Sequence, residues 1–283
     1  MVLTHIRDYL RPASIEEAWA ALAEGGKAAI PIGGGIDVLP RTTPELTALV
    51  DLAGVGLSYI RDGDGLAIGA TTTFAEMIES PLVREYLGGI LIEVLEKVAS
   101  PLQRNLATIG GTLGSAHPWS DVIPLLLVLG AEVIVYDGQE HTVPLTEYFV
   151  GRAAGERPLI TEIRLPGAAG VSGCAFEEYS ATGFDVAVLN CACFVTLASG
   201  RCKTVRIAIG GTPRLAARLP AVEEGLTGGA LDDATIDRVA ALAGETIDAR
   251  DDRRATAGYR RDLARVGMSR CLRRIARELG GAG

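Results

Sequence analysis

The chain has 283 residues, 48% of them hydrophobic and 22% charged, with a formal net charge of −8. That length supports one large core or two modest ones, and the composition excludes disorder across the chain. The acidity excludes a nucleic-acid binder, which needs a basic footprint; an acidic chain that holds a phosphorylated ligand must use local tools such as glycine loops and backbone amides.

The N-terminus, Met1-Val2-Leu3-Thr4-His5-Ile6-Arg7-Asp8, carries charge and no apolar core, so it does not read as a common Sec-type signal. Ser14-Ile15-Glu16-Glu17 reads as a capping box opening a helix to about Ala23, stopped by Gly25-Gly26. An apolar strand over 28–32 runs into Gly33-Gly34-Gly35, and 49–52 is another strand. Segments 57–60 and 66–70 flank Arg61-Asp62-Gly63-Asp64-Gly65, a hairpin signal. Thr73-Phe74-Ala75-Glu76 is a second capping box, opening a helical region that reaches toward Val98. Residues 108–111 read as a turn of small residues. Residues 124–129 read as helix, and 131–136 with 141–144 as a hairpin about Asp137-Gly138. The longest apolar stretch, 122–136, is broken by Pro124, Gly130 and Glu132 and is too short to span a bilayer. The Gly- and Ala-rich stretch 167–173 reads as a linker. Beyond it, 187–197 and 204–209 are β-rich and joined by Ser199-Gly200, and 231–249 and 259–279 read as helices. The expectation is an α+β chain: an N-terminal domain of one or two lobes, then a small sheet with helices.

The five cysteines, Cys174, Cys191, Cys193, Cys202 and Cys271, form no C-x-x-C pair. They read as buried hydrophobes rather than zinc or iron–sulfur ligands, and their odd number argues against a disulfide framework; the cytoplasm fits best. Cys191 and Cys193 alternate on a strand and so face one side. With only His5, His117 and His141, nothing resembles a Ser/His/Asp triad or a metal-ligand helix. Arg260, Arg261, Arg265, Arg270, Arg273, Arg274 and Arg277 read as a solvated basic face, or more sharply as a dock for an acidic partner subunit.

Two glycine runs carry the chemistry. Pro31-Ile32-Gly33-Gly34-Gly35-Ile36-Asp37-Val38 follows a strand, and Ala107-Thr108-Ile109-Gly110-Gly111-Thr112 adds two hydroxyls. Glycine amides can converge on an anion, so together the runs could grip both phosphates of a dinucleotide without net positive charge. Taken singly, a Gly-Gly run reads first as a tight turn. Neither run matches the P-loop or the Rossmann fingerprint.

With their spacing, these runs resemble the flavoprotein (medium) subunit of molybdenum hydroxylases of the carbon monoxide dehydrogenase and xanthine dehydrogenase type. Further matches are Tyr9-Leu10-Arg11-Pro12-Ala13-Ser14, Ile68-Gly69-Ala70-Thr71-Thr72, Arg104-Asn105-Leu106 ahead of the second run, and Ala116-His117-Pro118-Trp119-Ser120-Asp121. Ile207-Ala208-Ile209-Gly210-Gly211 and Ala255-Thr256-Ala257-Gly258-Tyr259-Arg260-Arg261 extend the resemblance nearly to the C-terminus. It implies a two-lobed FAD-binding domain of vanillyl-alcohol-oxidase type over 1–168, with lobes of about 1–55 and 56–168, then a flavoprotein C-terminal domain over 172–283. It implies that residues 31–38 and 108–112 wrap the FAD pyrophosphate. Asp121 would bind the cofactor's sugar part, or cap the helix that follows it, and Ile160 would line the site. No residue is nominated as catalytic or as a metal ligand.

Partners implied are a large molybdenum-cofactor subunit and a small iron–sulfur subunit, in a dimer of heterotrimers. Electrons would reach FAD from the clusters and leave for NAD, a quinone or oxygen. An FAD-free structural subunit and a self-contained flavin oxidase are the alternatives. The chain departs from the family where Thr112 replaces Asn, Glu178 a Lys, and Ala181-Thr182 a basic pair, which puts flavin tuning in doubt.

Overall fold

The computed structural model describes residues 5–167, 170–183 and 185–280, with only the backbone of Arg41. Residues 1–4 of the N-terminal reading, 168–169 of the expected linker, and Phe184 lie outside the described residues. The chain forms two compact units. One comprises Met1–Leu82, Ser100–Ser115 and Ala131–Leu165; the other comprises Val83–Ala99, Ala116–Gly130 and Pro166–Gly283. Segments 83–99 and 116–130, placed by sequence within the first domain, thus pack with the C-terminal part.

In the first unit a parallel three-stranded sheet places Ala48–Asp51 between Asp8–Leu10 and Ala29–Ile32. Helix Ile15–Gly25 covers it, burying Ala18 with Trp19 and Leu22 against Val50 and Leu52. Ser14 Oγ accepts the Glu17 amide at 3.2 Å, but the Glu17 carboxylate takes the Ala13 amide at 2.8 Å, so the capping box is shifted by one residue. A five-stranded sheet runs Ile60–Gly63, Gly65–Gly69, Leu159–Pro166, Glu132–Tyr136, Glu140–Pro144. The first pair is the expected hairpin with a shorter turn: Arg61 faces Ala67 and Gly63 faces Gly65, leaving Asp64 alone at the tip. Thr73 and Glu76 form a complete capping box, yet that helix ends at Glu79.

The region toward Val98 is not one helix. Pro81 starts a new turn, and Leu87, Gly88 and Gly89 take positive φ before helix Ile90–Leu95. This part belongs to the second unit, whose antiparallel sheet runs Ala217–Arg218, Arg201–Gly210, Leu189–Ala198, Val171–Tyr179. The last strand includes Val171–Gly173, expected as linker. Gly173 is there for packing, since a Cβ on it would lie 2.8 Å from Ile275 Cγ2 of helix Ala257–Gly280. Residues 189–196 are continuously buried because helices cover both faces. Cys191, Cys193, Ile207 and Ile209 meet helices Asp233–Thr246 and Ala257–Gly280. Helix Val122–Leu129 packs on the same two strands, where Arg206 stacks on Phe194 and donates to the Val128 carbonyl.

All five cysteines are buried free thiols. Among the described residues no helix is long and apolar enough to cross a membrane, and no group of three His, Cys, Asp or Glu could hold a metal.

The arginine face is only partly solvated. Arg260 is fully buried, donating to the carbonyls of Val188 (3.0 Å), Arg250 (2.6 Å) and Ala255 (2.9 Å) and to Asp252 (2.9 Å). Arg273 pairs with Asp233 and Asp237, and Arg274 forks onto Glu93 at 2.7 and 2.9 Å while holding Glu278. These are internal ties, whereas Arg261, Arg265, Arg270 and Arg277 are exposed.

Candidate functional site

The first unit contains a groove of about 1090 Å³, its open mouth included. Its floor is made where the two glycine runs lie on each other. Strand Ala29–Ile32 delivers the first. Pro31 lines the groove, while its neighbour Ile32 alternates into the core. Gly35 has φ +73°, and the Leu39 amide donates to its carbonyl to close the turn. A Cβ on Gly33 would lie 2.6 Å from Thr108 Oγ1, and one on Gly34 would run into the Leu106 carbonyl. Only glycine permits that approach.

The second run begins helix Ile109–Ser115 rather than forming an isolated turn. Its amides are used by the fold: Ile109 donates to Thr72 O, Gly110 to Ala70 O, Gly111 to Thr108 Oγ1 and Thr112 to Thr108 O, at 2.9–3.1 Å. These four amides are thus already engaged within the fold. That run offers hydroxyls, and the Thr112 hydroxyl itself donates to the Thr108 carbonyl at 3.1 Å. Among the described residues the amides of Gly34 and Ile36 have no protein partner.

Of the sequence candidates, Pro31, Gly33, Gly34, Gly35, Ile36, Asp37, Val38, Thr108, Gly110, Gly111, Thr112 and Ile160 line this one groove. Ile32 and Ile109 do not; both are core residues. Ile160 sits on the strand opposite Val135, beside Leu159, and with Ile30 and Leu52 makes an apolar wall. Sequence reasoning missed Leu52, Tyr148, Arg152 and Arg157, and assigned no role to Ala70 and Thr71. The run 68–72 was a usable signal; helix Leu145–Ala153 carries none, because its groove-facing residues are ordinary helix residues.

Asp121 belongs to the second unit and is not among the lining residues. It heads helix Val122–Leu129 without capping it; Ser120 Oγ accepts the Ile123 amide instead. The Asn190 side chain donates to Asp121 Oδ1 at 2.8 Å and to the Ser120 carbonyl. Burial first, and then the charge of Glu178, push the Asp121 carboxyl up to about 7. His117 stacks on Trp119, whose ring also carries Arg254.

Among the described residues the groove's charged side chains are Asp37, Arg152 and Arg157, with no histidine or cysteine. Glycine floor, threonine hydroxyls and apolar wall together suit a flat, phosphorylated ligand.

Residues 4–168 match the family model described as the FAD binding domain in molybdopterin dehydrogenase. The chain belongs to that family. Residues 174–275 match the CO dehydrogenase flavoprotein C-terminal domain, so this molybdopterin dehydrogenase FAD-binding subunit has the two-part fold of an oxidoreductase medium subunit, and FAD is its cofactor. It is 34% identical to the alpha subunit of the 6-hydroxypseudooxynicotine dehydrogenase complex of Paenarthrobacter nicotinovorans, over 94% of this chain and 93% of that one. It is 33% identical to the carbon monoxide dehydrogenase medium chain of Afipia carboxidovorans, over 94% and 96%. A solved carbon monoxide dehydrogenase chain from Hydrogenophaga pseudoflava superposes with a TM-score of 0.88 at 29% identity, over 95% and 96% of the two chains.

Proposed function

We propose that the groove holds FAD and that the chain is the electron-transfer subunit of a molybdenum hydroxylase complex. The observation that carries this reading is the interlocking of residues 33–34 with 106–111. It leaves the amides of Gly34 and Ile36 without a partner among the described residues, beside an apolar wall ending at Ile160. Bound FAD supplies the redox chemistry; the protein supplies position and electrostatics. The first loop would hold the diphosphate through backbone amides and Thr108 through its hydroxyl, whose oxygen also accepts the Gly111 amide, with Thr112 lining the groove beside them. A role for Asp121 at the cofactor's sugar rests on the family resemblance alone.

In this reading a large subunit hydroxylates substrate at molybdenum, a small subunit relays electrons through iron–sulfur clusters, and NAD, a quinone or oxygen accepts them. A dimer of heterotrimers in the cytoplasm is the assembly proposed. The test is flavin content. The native complex is purified and denatured, and released flavin is counted per polypeptide. About one FAD per chain is expected; a folded complex with no flavin, which also fails to take up added FAD, would leave a structural subunit as the better account.

A further inference from the structure

The first glycine run brings one carboxylate to the groove, Asp37, and two guanidinium groups, of Arg152 and Arg157, also line it. Arg157 donates through Nη1 to the carbonyls of Arg152 (3.1 Å) and Glu156 (2.7 Å), which fixes its head while leaving Nη2 and Nε for another partner. Arg152 lines the groove from helix Leu145–Ala153, as does the buried Tyr148. Neither forms an ion pair among the described residues, whereas several other arginines of this acidic chain do. The groove's one carboxylate, Asp37, has a partner of its own. Arg157 directly precedes Pro158, Leu159 and Ile160, the apolar wall. A purine fits that combination: its faces suit an apolar wall and a guanidinium stack, and its attached phosphate suits the charge.

We propose that Arg152 and Arg157 bind the adenylate half of the cofactor and so select FAD over FMN. This rests on the reading that the groove holds FAD. The flavin half is then held without formal charge from this wall.

The test uses the full chain stripped of flavin, titrated with FAD, FMN, riboflavin and ADP across a salt series. Wild type is compared with Arg152→Gln, Arg157→Gln and the double variant, with melting temperature as the folding check. The double variant is expected to lose about tenfold or more in affinity for FAD and ADP, with FMN and riboflavin unchanged and a shallower salt dependence. Arg157→Lys should restore the salt dependence but not the full affinity, because lysine lacks the planar fork; it also serves where a glutamine variant fails to fold. Unchanged FAD and ADP affinities would overturn the proposal, as would equal losses for FMN and riboflavin, which would put the guanidinium groups at the flavin ring. Wild type binding FAD but not ADP would overturn this proposal and leave the FAD reading standing. Wild type binding no FAD would overturn both.

Discussion

Gly34→Ala tests the contact on which the groove is built. The new methyl would strike the Leu106 carbonyl oxygen and carbon and lie 3.0 Å from Leu106 Cα. All three are backbone atoms, so no side-chain rotation relieves the overlap, and residues 33–38 must separate from 106–111. Overpacking of this kind costs about 1–3 kcal/mol. If it falls on the bound geometry, FAD affinity drops roughly 5- to 150-fold. If it falls on folding, the melting temperature drops by roughly 2–12 °C. Gly258→Ala is the control, since its Cβ would meet only Thr256 Oγ1 at 4.0 Å on the helix Ala257–Gly280. Flavin fluorescence titration and thermal melts on both variants decide the matter. Wild-type affinity and stability in Gly34→Ala would show that the close approach of the two runs does not shape the groove.

Arg260→Gln should lower stability by about 1–3 kcal/mol, because it takes donors from three carbonyls inside the fold and breaks the pair with the exposed Asp252, and a melting shift of roughly 2–12 °C would register it. Glu93 feels burial, which raises its carboxyl, but the Arg274 fork outweighs that and holds it below the usual range. Its contribution is therefore present above the unfolded value and lost as pH falls through the folded one. Glu93→Gln should cost about 1 kcal/mol at neutral pH after solvent screening and nothing in acid; equal costs at both pH values would refute it. Asp121 runs the opposite way. Its folded value, about 7, lies above the unfolded 3.8, so stability falls as pH rises between them and levels off above. Asp121→Asn should flatten that slope and gain most on wild type at about pH 8; parallel denaturation profiles would contradict the assignment.

Local rules made much of the fold readable. The caps at Ser14 and Thr73 and the Ser199-Gly200 hairpin depend on neighbours in sequence, and each stands where it was read. What failed depended on distant residues. Gly173 looked like linker because the helix that requires it arrives a hundred residues later. The helical region opened at Thr73 read as reaching toward Val98 because the helical pattern continues across Leu87 and Gly88, where the backbone turns left-handed. At the groove, the glycines were legible as glycines, but their job was not. Gly33 and Gly34 are small so that Thr108 and Leu106 can sit against them, a long-range contact that no spacing announces. Arg152 and Arg157 were invisible for the same reason: a cation becomes part of a site only through what surrounds it.

The passage of the chain back and forth between its units has a consequence for how it is made. The fork between Glu93 and Arg274 joins residues 181 positions apart, and strand Leu189–Ala198 packs on helix Val122–Leu129. Closing such distant contacts is slow. During synthesis, segment 83–99 emerges early, and strand Val171–Tyr179, on which helix Ile90–Leu95 packs together with helix Val122–Leu129, follows only later. Its apolar row, Ile90, Leu91, Val94 and Leu95, is only partly covered until that strand joins the second unit's sheet, an exposure that invites chaperone binding.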